Sequence, residues 1–283
     1  ASNQIYKIEK IIEPSSIPKI KYPKSSFLGT KRFNLPVYND NTLKPANIFS
    51  NKKLMGLYES TILENNEIAF FMPDYVFLNL MTIPKQEFPY NLFITRCGSK
   101  ILIYSELTSE NPLAICRSFN ENATKSFFEN ENEVFNLSLE STLIEENFNM
   151  HLTKNLNLEE NENDSLSYFK IKIGENISIY TFIKNDCIEE DGTTYLLRTL
   201  SDNGQYWKNL DNKMDDLYML ALRNNVRRVS EWIIASILTE TKDIILGLVS
   251  RDTTDKIEDH VVIKAMHKKT KEFTSLFNII END

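Results

Sequence analysis

The stretch MDDLYMLALRNNVRRVSEWIIASILTETKDIILGLVSR, from Met214 to Arg251, decides the fold. Within it Leu222, Val226, Val229, Ile233 and Ile237 recur at steps of four, three, four and four, which marks one face of an α-helix. The same spacing puts Arg223, Arg227, Arg228 and Glu231 on the opposite, solvated side. No Gly or Pro interrupts Leu217 to Leu238, so a helix of roughly 30 Å is allowed at about 1.5 Å per residue. Thr239 to Asp243 is a short polar break. Ile244-Ile-Leu-Gly-Leu-Val-Ser250 follows, too short for a helix and rich in β-branched residues, which suits a strand buried on both faces.

Outward from this core the chain alternates strand and helix signals. Downstream, His260 to Ala265 is a strand candidate and Glu272 to Ile280 a short helix. Upstream, Leu166 to Ile173, Ile177 to Ile183 and Thr193 to Leu200 are strand runs separated by Gly174-Glu-Asn176 and Asp191-Gly192, which predicts an antiparallel meander. Phe135 to Phe148 is a helix candidate, with Leu139 and Leu143 four apart. Leu92 to Thr95 and Lys100 to Tyr104 flank Cys97-Gly98-Ser99 as a hairpin, and Asp74 caps a short helix over Tyr75 to Met81. Residues 105 to 133 read as a polar surface excursion and Glu159 to Asp164 as an acidic loop. Together these predict an α+β fold: a mixed, largely antiparallel sheet packed against one long helix.

Residues 1 to 45 stand apart from the globular body at 46 to 283. They hold five of the nine prolines, keep no period, and yet carry the aromatics Tyr6, Tyr22, Phe27, Phe33 and Tyr38. Residues 1 to 53 sum to a charge of +7 within a chain of net charge -8, so the remainder carries -15. A basic, extended arm on an acidic body suits RNA or an acidic protein surface, and equally a solvated tail. Such a segment orders on a partner or on its own domain.

Composition narrows the function classes. Hydrophobic residues at 41% and charged residues at 25% describe an ordinary globular protein. No apolar run reaches the roughly 20 residues of a membrane span. Cys97, Cys116 and Cys187 are few and scattered, which favours a reducing, cytoplasmic setting over a disulfide framework. Seven glycines leave no phosphate-cradling loop or dinucleotide fingerprint. His151, His260 and His267 lie far apart without ligand spacing, and read as surface or packing residues. No catalytic nucleophile, metal cluster or cofactor motif emerges.

Order and spacing of short motifs add a resemblance. Leu222-Arg-Asn-Asn-Val-Arg-Arg-Val-Ser-Glu-Trp232 followed by Leu246-Gly-Leu-Val-Ser-Arg251 resembles the C-terminal half of the D subunit of eukaryotic translation initiation factor 3. Arg96-Cys-Gly-Ser-Lys100, the segment from Asp74 to Leu80-Met81, and Glu272-Phe-Thr-Ser275 are similar to motifs of that family in the same order. Fainter similarity relates Tyr22-Pro to Gly29-Thr-Lys31 to its N-terminal segment. On this resemblance Lys19, Lys21, Tyr22, Lys24, Phe27, Lys31 and Arg32 are the partner-binding candidates of the arm.

The resemblance also implies a fold like that of the DXO decapping and 5′-end exonucleases, which bind metal through a Glu-x-Asp pair and a Glu-x-Lys pair on neighbouring strands. Here those positions read Lys184-Asn-Asp186 and Leu196-Leu-Arg198, so both glutamates are missing. The family's cap pocket falls on Asp74, Glu87, Phe88, Thr142, Glu145 and Glu146. Asp74 and Thr142 match it, Phe88 replaces a tyrosine, Glu87 a small apolar residue, and Glu145-Glu146 an Asn-His pair. Carboxylates at that pair repel a triphosphate by roughly 1 kcal/mol each at contact in water. On Asp74 alone, helix capping explains the residue as well as cap binding does; for Glu145 and Glu146 the simpler explanation is a solvated helix face. The expectation is a non-catalytic subunit without cofactor or metal. Its implied partners are the other subunits of initiation factor 3, the small ribosomal subunit and mRNA, with no membrane. A subunit that binds the cap actively, and a 5′-end RNA hydrolase, are the alternatives.

Overall fold

The computed structural model describes residues 6–22, 33–35, 51–64, 66–82, 91–105, 133–153, 162–203, 222, 225–251 and 260–273. In chain order the elements are β1 (Tyr6–Ile12), β2 (Phe33–Asn34), α1 (Lys52–Ser60), β3 (Ile68–Phe71), α2 (Asp74–Met81), β4 (Phe93–Cys97), β5 (Lys100–Tyr104), α3 (Glu133–Leu152), β6 (Leu166–Ile173), β7 (Ile177–Lys184), β8 (Cys187–Ile188), β9 (Thr194–Asn203), α4 (Val226–Thr239), β10 (Asp243–Arg251) and β11 (His260–Lys269). Among the described residues no helix is long and apolar enough to cross a membrane.

The strands form two sheets rather than the single sheet expected. One has the order β1-β6-β7-β3-β5-β4 and the other β2-β11-β10-β9-β8. Residues Asp243 to Ser250 of β10 are all buried, as the apolar run requires, with β11 antiparallel on one side and β9 parallel on the other. The predicted meander holds for β6 and β7 and for the β4–β5 hairpin, where Gly98 turns at φ 61. It fails for β9, which leaves that sheet. Two parallel strands need a crossover between them, and α4 supplies it between β9 and β10. The near-continuous apolar run Tyr195-Leu-Leu197 already had the composition of a strand covered on both faces.

Helix α4 departs most from the sequence pattern. Arg227, Arg228 and Glu231 are buried, whereas Ile237 is 60% exposed. The helix packs on α2 and β7 as well as on β10, so its polar side has no water to face. The charges are compensated in part by one shared carboxylate. Glu231 lies 3.1 Å from both Arg227 and Arg228, and Arg227 donates to Asn79 on α2 at 2.6 Å. The helix ends at Glu240 in the left-handed conformation, φ 56, and Thr241 N–H closes on Ser236 O at 3.0 Å. Leu222 is helical too, while residues 214–221 and 223–224 of the expected helix lie outside the described residues.

Three apolar clusters follow from these layers. Trp232, Val229 and Leu238 of α4 and Val76 of α2 bury against Ile244, Leu246 and Leu248 of β10 and against Phe169 and Ile171 of β6, which joins the two sheets. Helix α3 covers the opposite face of β9 and β10 through Ile144, Phe148 and Leu152. Leu54 of α1 sits with Phe71, Tyr168 and Tyr180 on the outer face of the larger sheet. Gly247 explains how α3 approaches so closely: a Cβ there would stand 2.6 Å from Phe148 Cε2. The ring of Phe148 therefore rests where β10 has no side chain.

Residues assigned to the arm are woven into both sheets. Strand β1 pairs with β6 from Tyr6↔Ile173 to Ile12↔Tyr168, and β2 pairs with β11. Ile20 and Leu35 are buried in the α3 cluster. Residues 23–32 and 36–50 lie outside the described residues, as do the predicted excursion from 106 to 132 and helix positions 274–280.

Candidate functional site

Asp74 opens α2. Pro73 occupies the N-cap position, so Asp74 is the first helical residue rather than the cap expected. Its carboxylate accepts the Tyr75 N–H at 2.8 Å and is 3% exposed. A negative charge in a first helical turn is favoured by the helix dipole. Asp74 also lies near Tyr168, whose hydroxyl donates to Asn51 at 2.8 Å; burial, with the Asp74 charge adding to it, pushes the Tyr168 pKa up to about 12. Behind Asp74, Tyr75 donates to Ser105 O at 3.0 Å, and Asn79 receives Arg227, so α2 is braced from two sides.

The other sequence candidates sit on α3, over the second sheet. Thr142 is half-buried, Glu146 exposed and Glu145 buried at 5% exposure. The expected solvated face therefore holds for Glu146 and not for Glu145. Glu145 Oε1 lies 3.9 Å from Arg198 Nη1 of β9. The same Nη1 donates to Asp186 Oδ2 at 2.6 Å, and that oxygen also accepts the Leu197 N–H at 3.0 Å. Asp186 and Arg198 are both buried, and Leu196 is part of the core. Glu87 and Phe88 lie outside the described residues.

These contacts test whether a divalent cation fits at Asp186 and its neighbours. It does not. The carboxylate oxygen that would face the ion is held by a guanidinium, and Leu196 offers no oxygen. Among the described residues no group of three or more His, Cys, Asp or Glu is placed to hold a metal. Two histidines pair with carboxylates rather than merely pack, His260 with Glu140 at 3.0 Å and His267 with Asp243, whereas His151 stacks on Phe33 at 4.8 Å. Burial, reinforced by Lys21, lowers the His151 pKa below the ordinary histidine value. Cys97 is exposed and Cys187 buried, its thiol pushed up by burial.

Of the arm candidates, Lys19, Lys21 and Tyr22 run beside α3 and β8. Lys19 forms a bridge with Ile188, and Lys21 N–H donates to Leu152 O at 2.7 Å. Lys21 Nζ reaches Met150 O at 3.4 Å, a cation at the negative end of α3. The Tyr22 ring lies 5.9 Å from that of His151. Lys24, Phe27, Lys31 and Arg32 lie outside the described residues. Arg227, Arg228 and Glu231, which the sequence pattern puts on a solvated side, form a buried cluster instead. Their spacing of i, i+3 and i+4 was a usable signal for an ion-pair cluster.

A family model described as "Eukaryotic translation initiation factor 3 subunit 7 (eIF-3)" matches residues 60–184 and 195–283. The interval between the two blocks contains Asp186 and β8. The D subunit of eukaryotic translation initiation factor 3 from Yarrowia lipolytica is 25% identical over 239 residues, which is 75% of this chain and 44% of that protein. Its counterpart in Nematostella vectensis is 24% identical over 230 residues, 72% of this chain and 41% of that one. The chain thus spans less than half the length of these relatives. Among solved structures, Candida albicans Rai1 in complex with pU5-Mn2+ superposes with a TM-score of 0.57 at 12% identity, covering 97% of this chain and 76% of that one. Scheffersomyces stipitis Rai1 in complex with (3'-NADP)+ and calcium ion gives 0.56 at 12% identity, covering 96% and 77%. Identity that low carries the fold alone, and the fold is DXO-like.

Proposed function

Because the chain belongs to the subunit 7 family of eukaryotic translation initiation factor 3, we propose that it works as a non-catalytic subunit of that factor. In this role it meets the small ribosomal subunit and mRNA during initiation, and its affinity for the mRNA 5′ cap is weakened. The observation that carries the non-catalytic part is the Asp186–Arg198 pair, in which a buried guanidinium takes the carboxylate a metal-dependent hydrolase would need. A weakened cap affinity is supported by α3, where Glu145 lies within ion-pairing distance of Arg198 and Glu146 is exposed. Asp74, Thr142 and Phe88 remain the candidates for holding the base, Glu87 is a further carboxylate opposing the triphosphate, and Lys19, Lys21, Tyr22, Lys24, Phe27, Lys31 and Arg32 are the arm's candidates for partners.

Co-sedimentation of the tagged chain with initiation factor 3 and small ribosomal subunits tests the role directly. The chain is expected in the same fractions as the other subunits; its absence from them overturns the proposal. Incubation with capped or 5′-phosphate RNA and Mn²⁺ should leave the RNA intact, and cleavage abolished by Asp186→Ala would show an enzyme. Replacing Glu146→His should raise affinity for a cap analogue about fivefold, since one charge at contact in water is worth roughly 1 kcal/mol.

A further inference from the structure

The larger sheet has a face that the described helices cover only in part, and strand register fixes which residues share it. Tyr6 stands opposite Ile173, Ile173 opposite Ile177, and Ile177 opposite Ile68, a row across β1, β6, β7 and β3. On the same face two residues further along, Ile171 of β6 lies in the α2/α4 core; Ile103 of β5, four residues along because Phe70 pairs with Ile101, lies there too, and its partner on β4 is Ile94. Among the described residues the cover stops towards the row. Tyr6 is 56% exposed, Ile173 37%, Ile177 38% and Ile68 37%, with Ile8 at 37% and Ile94 at 65% on the two flanks. Six of the eleven large apolar side chains exposed among the described residues therefore lie on one face. Single exposed apolar residues are ordinary, whereas a contiguous group continuous with the core marks a binding surface.

Lys10 and Arg96 are the charged strand residues of this face, at the β1 and β4 sides, and Lys10 Nζ lies 3.5 Å from Glu13 Oε2 just past β1. Glu9, Lys7, Lys170 and Lys172 alternate onto the opposite face. We propose that this face receives an amphipathic helix of another subunit of initiation factor 3, its apolar stripe on the row Tyr6–Ile173–Ile177–Ile68 and a carboxylate towards Arg96. The proposal rests on the functional assignment above. The covered part of the face is already filled by helices, so the docked segment extends an existing layer. Five strand spacings of about 4.8 Å span ~24 Å, the length of about sixteen helical residues at 1.5 Å each. Two cations are too few for a phosphate backbone, and six partly exposed side chains fall well short of the ~800 Å² per partner of a stable dimer.

The test uses thiol accessibility in the assembled factor. Ile177→Cys and, as reference, Ile62→Cys, a position 93% exposed and off this face, are alkylated with N-ethylmaleimide and read site by site by mass spectrometry. The free chain is compared with the chain in the factor assembled from co-expressed subunits. Assembly should slow labelling of Ile177→Cys more than tenfold and that of Ile62→Cys less than twofold. Ile177→Glu, which places a charge at an already exposed position, should keep its melting temperature yet cut incorporation at least tenfold. Arg96→Glu should weaken incorporation less as salt is raised. Equal labelling of Ile177→Cys in the free and assembled chain overturns the docking face while leaving the functional assignment standing. Protection lost on ribonuclease treatment would identify RNA instead, and protection already present in a concentrated free chain would identify a second copy; either overturns the proposal. A wild-type chain that never joins the factor overturns both.

Discussion

At the residue scale the decisive group is Arg198. Its missing glutamate neighbours were legible in the sequence, because Lys184-Asn-Asp186 and Leu196-Leu-Arg198 depart from a metal-binding pattern at named positions. What the guanidinium would touch was not legible, since Asp186 and Glu145 reach it from a strand end and a separate helix. Removing one partner of a buried pair costs more than the pair contributes, because the other charge stays desolvated. Arg198→Met should therefore lower stability to urea by about 3–5 kcal/mol. Adding Asp186→Leu should recover part of that loss. If the double variant is less stable than the sum of the two single losses, Asp186 is not held chiefly by Arg198. Glu145→Gln should cost less than Arg198→Met, because its distance of 3.9 Å is at the limit of an ion pair.

At the element scale, two strands and a helix show how packing overrides pattern. The apolar period of α4 placed its existence and direction correctly, but it assigned the wrong residues to water, because periodicity reports one buried face and α4 has two. Strand β10 was read correctly on both faces because a continuous apolar run has only that solution. The role of Gly247 needs α3 in place to be seen. Gly247→Ala should cost about 1–3 kcal/mol by forcing Phe148 off β10, and Phe148→Leu in the same chain should relieve much of it. Urea denaturation of the two single variants and the pair gives the coupling; strict additivity would mean the two side chains do not collide. A second contact ties β3 into its sheet. Ser178 of β7 donates to Glu67 at 2.5 Å, and Lys170 of β6 lies 3.4 Å away. The Ser178 hydrogen bond, ahead of burial, which opposes it, holds the Glu67 pKa below its ordinary 4.5. The ionised form is thus favoured by folding, so this stabilisation is complete above pH 4.5 and fades as pH falls through the lower folded value. Ser178→Ala should have a lower melting temperature than the parent at pH 7, and the gap should narrow below pH 4.5. A gap that ignores pH would show that Ser178 acts through packing.

At the scale of the whole molecule, the N-terminal residues matter most. Their prolines and basic charge made residues 1 to 45 look separable, because no local period announced a strand whose partners lie far along the chain. Yet Ile20 is buried, and burying one such side chain stabilises by about 1.5–3 kcal/mol. Deleting residues 1–22 should cost at least that much, with exposure of the β6 edge detected as faster amide exchange in β6. Unchanged stability would restore the picture of a detachable arm. The same long-range pairing sets a schedule for synthesis. Tyr6 must wait for Ile173 and Phe33 for Val262, so neither N-terminal strand can close until most of the chain has left the ribosome. At about 5–20 residues per second that interval lasts roughly 10–50 s. Throughout it these two strands are unpaired, and a nascent chain of this protein has reason to be met by a chaperone before β6 and β11 emerge.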